Sequence, residues 1–202
     1  MADFAAARLN MVESQVRTAD VTDVRIHDAM RAIPRERFVP ETKSHLAYTD
    51  IEVEYAPGRW LLKPRDVAKL MQALRPMPGE KALAISAPYA AAVLEELGAQ
   101  VTRAEAGEAV PGGDYDLIVC EGAVTRAPDA WTAALATNGR LGVVEESGYL
   151  LRLPRWGCEA QLLDEGGGAG CLLRGFRLAL VYGGAFPSLL KKPLQESPFP
   201  LF

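Results

Sequence analysis

Residues 82–97 read ALAISAPYAAAVLEEL. The stretch passes from a short apolar run into an alanine-rich helical pattern and contains no glycine. A strand that turns into a helix is the unit from which open α/β sheets are built, and ligands lie at that junction. Glycines normally let the ligand approach the backbone there. Here Ser86, Ala87 and Pro88 fill the loop. SAPY also reads as a plain helix start: Ser86 suits a cap, Pro88 fixes φ in the first turn, and Ala90, Ala91 and Ala92 carry the helix.

Working outward, KALAIS from residue 81 is a short buried strand, and the helix over 88–97 ends at Gly98. AQVTRA at 99–104 is a second strand, and DYDLIVCEG at 114–122 a third. APDAWTAALAT at 127–137 is expected to be a helix, followed by NGRLGVVEE as a turn and a fourth strand. This alternation predicts an α/β sandwich with a mostly parallel sheet. Beyond 148, LLRLPRW, CEAQLLD and RLALVYG are predicted strands, with DEGGGAG at 164–170 turning between the last two. GGGAG there lacks the strand-then-helix context of a phosphate loop.

Only EAGEAVPGGD joins the second and third strands. About ten extended residues reach at most ~33–36 Å. That suffices for a bare loop if strand 82–86 lies between the two. Strand 99–104 then becomes a sheet edge. Either Arg103 and Glu105 guard it, or it is an interface for a protein partner or a second copy.

Residues 4–32 carry two helical patterns. Phe4, Leu9, Met11, Val12 and Val16 are read as one apolar face. Thr22 or Asp23 caps the second helix, with Val24, Ile26, Ala29 and Met30 inward. Pro34 in PRERFVP stops it. Residues 41–63 read as irregular, with extended pieces at IEVEY and RWLL. Pro64 starts a helix through Val67, Leu70, Met71 and Leu74, which PMPG closes. The expectation is a single domain over 1–202: an N-terminal helical extension (1–75), an α/β core (80–185) and an extended arm (186–202).

Composition narrows the function. The chain has 202 residues, 49% apolar, with a net charge of −4 and a pI near 5.3. That balance argues against nucleic acid as a partner. Cys120, Cys158 and Cys171 have no C-x-x-C spacing, and His27 and His45 lie far from them, so no metal site is expected. Free thiols suit a reducing compartment, and neither a signal peptide nor a membrane span is apparent, so a cytoplasmic location is expected.

The run MVESQVRTADVTDVRIHDAMRAIPRERFVPETKSHLAYTD resembles the protein-L-isoaspartate O-methyltransferase family. Its shared features are an MV–Q–R opening, an AM–IPRERFVPE centre and an AYTD end. The likeness continues through LLKPRDVAKLMQAL, PYAAAVLEEL, and YDLIVCEGA followed by NGRLGVVEE. The resemblance implies a Rossmann-like sandwich of the class I S-adenosylmethionine (SAM) methyltransferases, with antiparallel C-terminal strands. It also implies action on isoaspartyl carboxylates of damaged proteins.

The chain departs from the family at the ligand positions. The family's E-I-G-x-G-x-G-Y stretch matches AISAPY, so Ala84 stands for the acid, and Ser86, Ala87 and Pro88 replace a longer glycine-rich run. The family's substrate-holding Ser matches Leu62. A helix and strand between the second strand and DYDLIV are missing. Glu105 follows the second strand, where the family's acid binds ribose hydroxyls; its other reading is a solvated strand end. Glu121 ends the third strand, as a holder of a polar ligand or as a helix-start charge. Arg35 and Arg37 either clamp a carboxylate or are solvated. Tyr48 and Asp50 are read as ties between the N-terminal helices and the sheet.

Methyl transfer to a carboxylate needs alignment more than acid–base help, since a free carboxylate with a pKa near ~4 is already ionised. The expectation is therefore a non-catalytic relative with no cofactor. Ser86, Ala87, Tyr89, Glu105 and Glu121 would be the remnants of its cofactor site. The alternative is an active SAM-dependent enzyme with a rearranged site, using Glu105 for the ribose.

Overall fold

The computed structural model describes residues 3–124, 127–145 and 177–182, the last segment and Glu145 by backbone alone. A continuous helical run opens the chain. It comprises α1 (Phe4–Met11), a π-helical turn over Val12–Val16 and a 3-10 turn over Arg17–Ala19, stopped by Asp20 at φ 59°. Helix α2 (Val24–Ala32) is capped by Asp23, whose carboxylate accepts the Arg25 N–H at 3.0 Å. Two inward assignments fail: Leu9 is 52% exposed and Val24 61%. At ~100° per residue, Leu9 lies roughly opposite Met11, and Val24 opposite Ile26.

The 41–63 region is less irregular than its sequence suggests: a 3-10 turn spans Glu41–Leu46, after another at Arg35–Phe38. The extended pieces form an antiparallel hairpin, β1 (Val53–Ala56) with β2 (Arg59–Leu61). Helix α3 (Pro64–Leu74) starts at its proline as expected.

The main sheet holds β3 (Lys81–Ile85), β4 (Gln100–Ala104), β5 (Tyr115–Val124), β6 (Leu135–Glu145) and β7 (Arg177–Tyr182) in the order β4-β3-β5-β6-β7. The first four are parallel and β7 is antiparallel to β6. Strand β3 lies between β4 and β5, whose link over 105–114 carries no helix, as its length requires. Among the described residues β4 is the edge. The strands proposed at LLRLPRW and CEAQLLD, the turn at 164–170 and the arm at 186–202 lie outside the described residues.

One helix is shorter than expected. Helix α5 spans only Asp129–Ala133, and β6 begins at Leu135, before the NGR turn. Pairing of Tyr115 with Leu135 takes over what helix periodicity suggested. Tertiary pairing routinely overrides local propensity in this way.

Alternation along the strands divides the core. Ala82, Ala84, Leu117 and Val119 face α3, α4 (Pro88–Glu96) and the N-terminal helices. Leu83, Ile85, Ile118, Cys120, Leu141 and Val143 face the other way, with Trp131 of α5. Alanines at 82, 84, 90 and 91 let α4 sit close on the sheet.

Candidate functional site

The C-terminal ends of β3, β4 and β5 meet the start of α4 and the β1–β2 hairpin. The hairpin is fastened there: the Tyr55 hydroxyl donates to the Ser86 carbonyl at 3.2 Å, and Arg59 Nη2 donates to the Ala106 carbonyl at 3.0 Å.

Ser86 takes φ +44°, left-handed backbone that glycine adopts without cost. It does not cap α4. Its hydroxyl donates to Glu105 Oε2 at 2.7 Å and accepts the Ala106 N–H at 2.9 Å, tying the end of β3 to the end of β4. Glu105 keeps 56% of its side-chain surface open, and Arg59 Nε stands 3.9 Å from it. The N-cap of α4 is Ala87, which has no capping side chain. Ala87 is buried, and the whole Tyr89 side chain is covered.

Glu121 does the capping from a distance. Strand β5 runs on to Val124, so Glu121 does not start a helix of its own. Its Oε2 accepts the Ala90 N–H at 3.0 Å, and the nearby Tyr89 and Leu62 N–H groups favour its charged form. Pro88 has no N–H to offer, and the Ala91 N–H is bound by the Ala87 carbonyl at 2.9 Å. The Ala90 and Ala91 N–H groups of the first turn of α4 are thus bound from within.

Arg35 completes the cluster, and its solvated reading is overturned. It is wholly buried, with Nη1 3.8 Å from Glu121 Oε1. Its Nε donates to the Ala47 carbonyl at 2.9 Å, and Nη2 donates to the Leu62 carbonyl. Its guanidinium lies 4.5 Å over the Tyr89 ring, a cation–π contact. Desolvation works against both charges. It lowers the Arg35 pKa and pushes Glu121 up to about 7, because one contact at 3.8 Å attracts less than burial costs. Burial also pushes the Cys120 thiol up to about 12, so it stays protonated and unreactive.

Leu62 is buried; its carbonyl accepts from Arg35, while its side chain offers no hydrogen bond. Tyr48 and Asp50 tie the N-terminal elements to one another and to α3, rather than to the sheet. The Tyr48 hydroxyl accepts from Arg8 and donates to Glu36, its carbonyl accepts from Gln15, and Asp50 pairs with Arg65 of α3 at 3.1 Å. Among the described residues no cluster of His, Cys, Asp and Glu could hold a metal, and no helix is long and apolar enough to cross a membrane.

Ser86, Glu105, Tyr89 and Glu121 therefore all sit at one end of the sheet, with Leu62 beside them. The Arg35–Glu121 pair was not legible as a pair. Its one signal is on the Glu121 side, a charge at the end of the apolar run LIVC, since a buried charge needs a partner.

The family model described as protein-L-isoaspartate(D-aspartate) O-methyltransferase matches residues 7–112. The chain is 35% identical over 187 residues to the protein-L-isoaspartate O-methyltransferase of Methylorubrum extorquens (strain PA1), which covers 77% of this chain and 82% of the relative. It is 32% identical over 186 residues to protein-L-isoaspartate O-methyltransferase 1 of Rhodopseudomonas palustris (strain HaA2), covering 75% and 76%. Among solved structures, a protein-L-isoaspartate O-methyltransferase aligns with a TM-score of 0.54 at 20% identity, over 69% of this chain and 55% of that one. A putative protein-L-isoaspartate O-methyltransferase from Plasmodium falciparum, solved in complex with S-adenosyl-L-homocysteine, aligns with a TM-score of 0.58 at 15% identity, over 90% and 97%.

The sheet order, the parallel strands and these neighbours define a Rossmann-like methyltransferase fold. The chain belongs to the protein-L-isoaspartate(D-aspartate) O-methyltransferase family. For a SAM-like ligand the site fits by halves. Glu105 presents an open carboxylate of the kind that binds paired hydroxyls. The start of α4, which would otherwise take an anion, is already filled by Glu121.

Proposed function

We propose that the chain is a SAM-dependent carboxyl O-methyltransferase acting on isoaspartyl residues of damaged proteins, with a rearranged cofactor site. What supports this is membership of the family, together with relatives of that name at 35% and 32% identity. The observation that carries it is the half-open Glu105 carboxylate at the end of β4, locked to Ser86 at the end of β3. Glu105 holds the ribose hydroxyls, and the ligand's own carboxylate lies away from the start of α4. SAM, when bound, supplies the methyl group. The isoaspartyl carboxylate arrives ionised, so the chain's task is to align it and exclude water.

A calorimetric titration with SAM and S-adenosylhomocysteine tests this, run beside radiolabelled methyl transfer to an isoaspartyl peptide. Micromolar binding, weakened tenfold or more by Glu105→Ala, and labelled ester are the expected outcomes. No binding up to millimolar ligand and no label would overturn the reading.

A second reading is a non-catalytic relative that binds no cofactor and docks a protein partner or a second copy along β4. The closed hydrogen bonding of the 86–90 loop and the apolar Leu62 favour it. Under it, the titration is flat and Glu105→Ala changes nothing but loop stability.

A further inference from the structure

The Glu121 carboxylate sits among donors that converge on one buried spot. Two N–H groups at the start of the nine-residue helix α4, the Leu62 N–H and the Arg35 guanidinium surround it. Helix-start N–H groups beside an arginine are the chemistry that binds free carboxylates. An ordinary cap comes from the helix's own N-cap residue and faces water. This one comes from a neighbouring strand, is wholly buried, and is paired with a buried cation. The fit is imperfect: Arg35 Nη1 and Glu121 Oε1 have no hydrogen-bond partner. A tethered side chain reaches the set from one direction only and leaves those two atoms unmatched.

We propose that Glu121 is an intramolecular ligand filling a small-carboxylate site, and that the site accepts free formate or acetate once that side chain is removed. This does not rest on methyltransferase activity. It also gives the closure of the helix start a cause: the protein's own carboxylate excludes a ligand's.

The test is thermal unfolding of Glu121→Ala in sodium formate against sodium chloride at equal ionic strength. With formate at about tenfold its Kd, the melting temperature should rise by roughly 3 °C or more over chloride. The rise should saturate, follow acetate in part and be absent with benzoate. Wild type and Glu121→Gln, whose side chains fill the site, should show no formate-specific rise. An equal response to formate and chloride in Glu121→Ala overturns the proposal, as does a matching rise in Glu121→Gln. If Glu121→Ala does not fold unaided, refolding yield replaces melting. A higher yield in formate supports the site, and equal yields, including none in either salt, overturn it.

Discussion

Two buried arginines, each paired with a glutamate, sit at opposite ends of the same sheet. At the N-terminal end Arg140 meets Glu80 through two hydrogen bonds, at 3.0 and 2.6 Å. It also donates to the carbonyls of Leu74 and Arg75, closing the C-terminus of α3. At the C-terminal end Arg35 and Glu121 make one contact at 3.8 Å, and each keeps an unmatched atom. The first pair has bidentate geometry, and each guanidinium nitrogen of Arg140 makes a hydrogen bond. The second has more burial and poorer geometry. The difference separates a pair that holds the fold from one left where the fold takes ligands. Burial alone does not mark a structural ion pair; complete hydrogen bonding does.

Removing the well-made pair should have the largest effect. Arg140→Met leaves the Glu80 carboxylate with the Met77 N–H alone and two carbonyls without their donor. The expected loss is about 3–5 kcal/mol, read from urea unfolding. Arg35→Met should cost less near neutral pH, because Glu121 can shed its charge by taking a proton, which offsets the missing cation. An Arg35→Met loss equal to or above that of Arg140→Met would erase the contrast.

The next effect is a pH dependence. Glu121 has its pKa raised from 4.5 to about 7 in the folded protein. The folded state therefore holds a proton that the unfolded state has lost across that range. Its contribution is fully present below about pH 4.5 and is lost as pH rises through about 7. Arg35 stays charged throughout, and the neighbouring Tyr89, Tyr55 and Cys120 are pushed further from this range, so none of them titrates there. Wild type should lose on the order of 2 kcal/mol relative to Glu121→Gln between pH 5 and 8. Parallel stability curves for the two proteins would sink this.

The sequence made the sheet readable because its strands carry apolar runs, KALAI and LIVC, set off by Gly98, Pro111 and Gly112. The length of the 105–114 link allows β3 to lie between β4 and β5, and the order itself is what the family resemblance implies. What escaped were features decided by distant partners. Leu135–Thr137 pair with β5 rather than extend α5, and helical spacing in a short window cannot see that. Ser86 looks like a cap, but its hydroxyl goes to β4 while a carboxylate 31 residues further on from Ala90 takes the helix start. Glu105 was legible because its position follows from the strand before it. Arg35 was not, because its carboxylate partner lies on another element.

The smallest expected effect concerns backbone at the two ends. At the N-terminal end, Gly79 (φ +83°) and Gly98 (φ +89°) take left-handed conformations and are joined by an N–H to carbonyl bond of 2.8 Å. At the C-terminal end, Ser86 takes φ +44° with a side chain attached. A non-glycine residue there carries roughly 1 kcal/mol of strain. The two hydroxyl hydrogen bonds to Glu105 and Ala106 contribute about 1 kcal/mol each and outweigh it. Ser86→Ala loses both bonds and keeps the strain, so it should destabilise by about 2 kcal/mol. Ser86→Gly loses the bonds but relieves the strain, so it should lie about 1 kcal/mol above Ser86→Ala, less the added freedom of the unfolded chain. Urea midpoints for the three proteins give the order wild type, then Gly, then Ala. If Ala instead matches or exceeds Gly, the left-handed loop costs nothing, and the serine replaces a glycine there without strain.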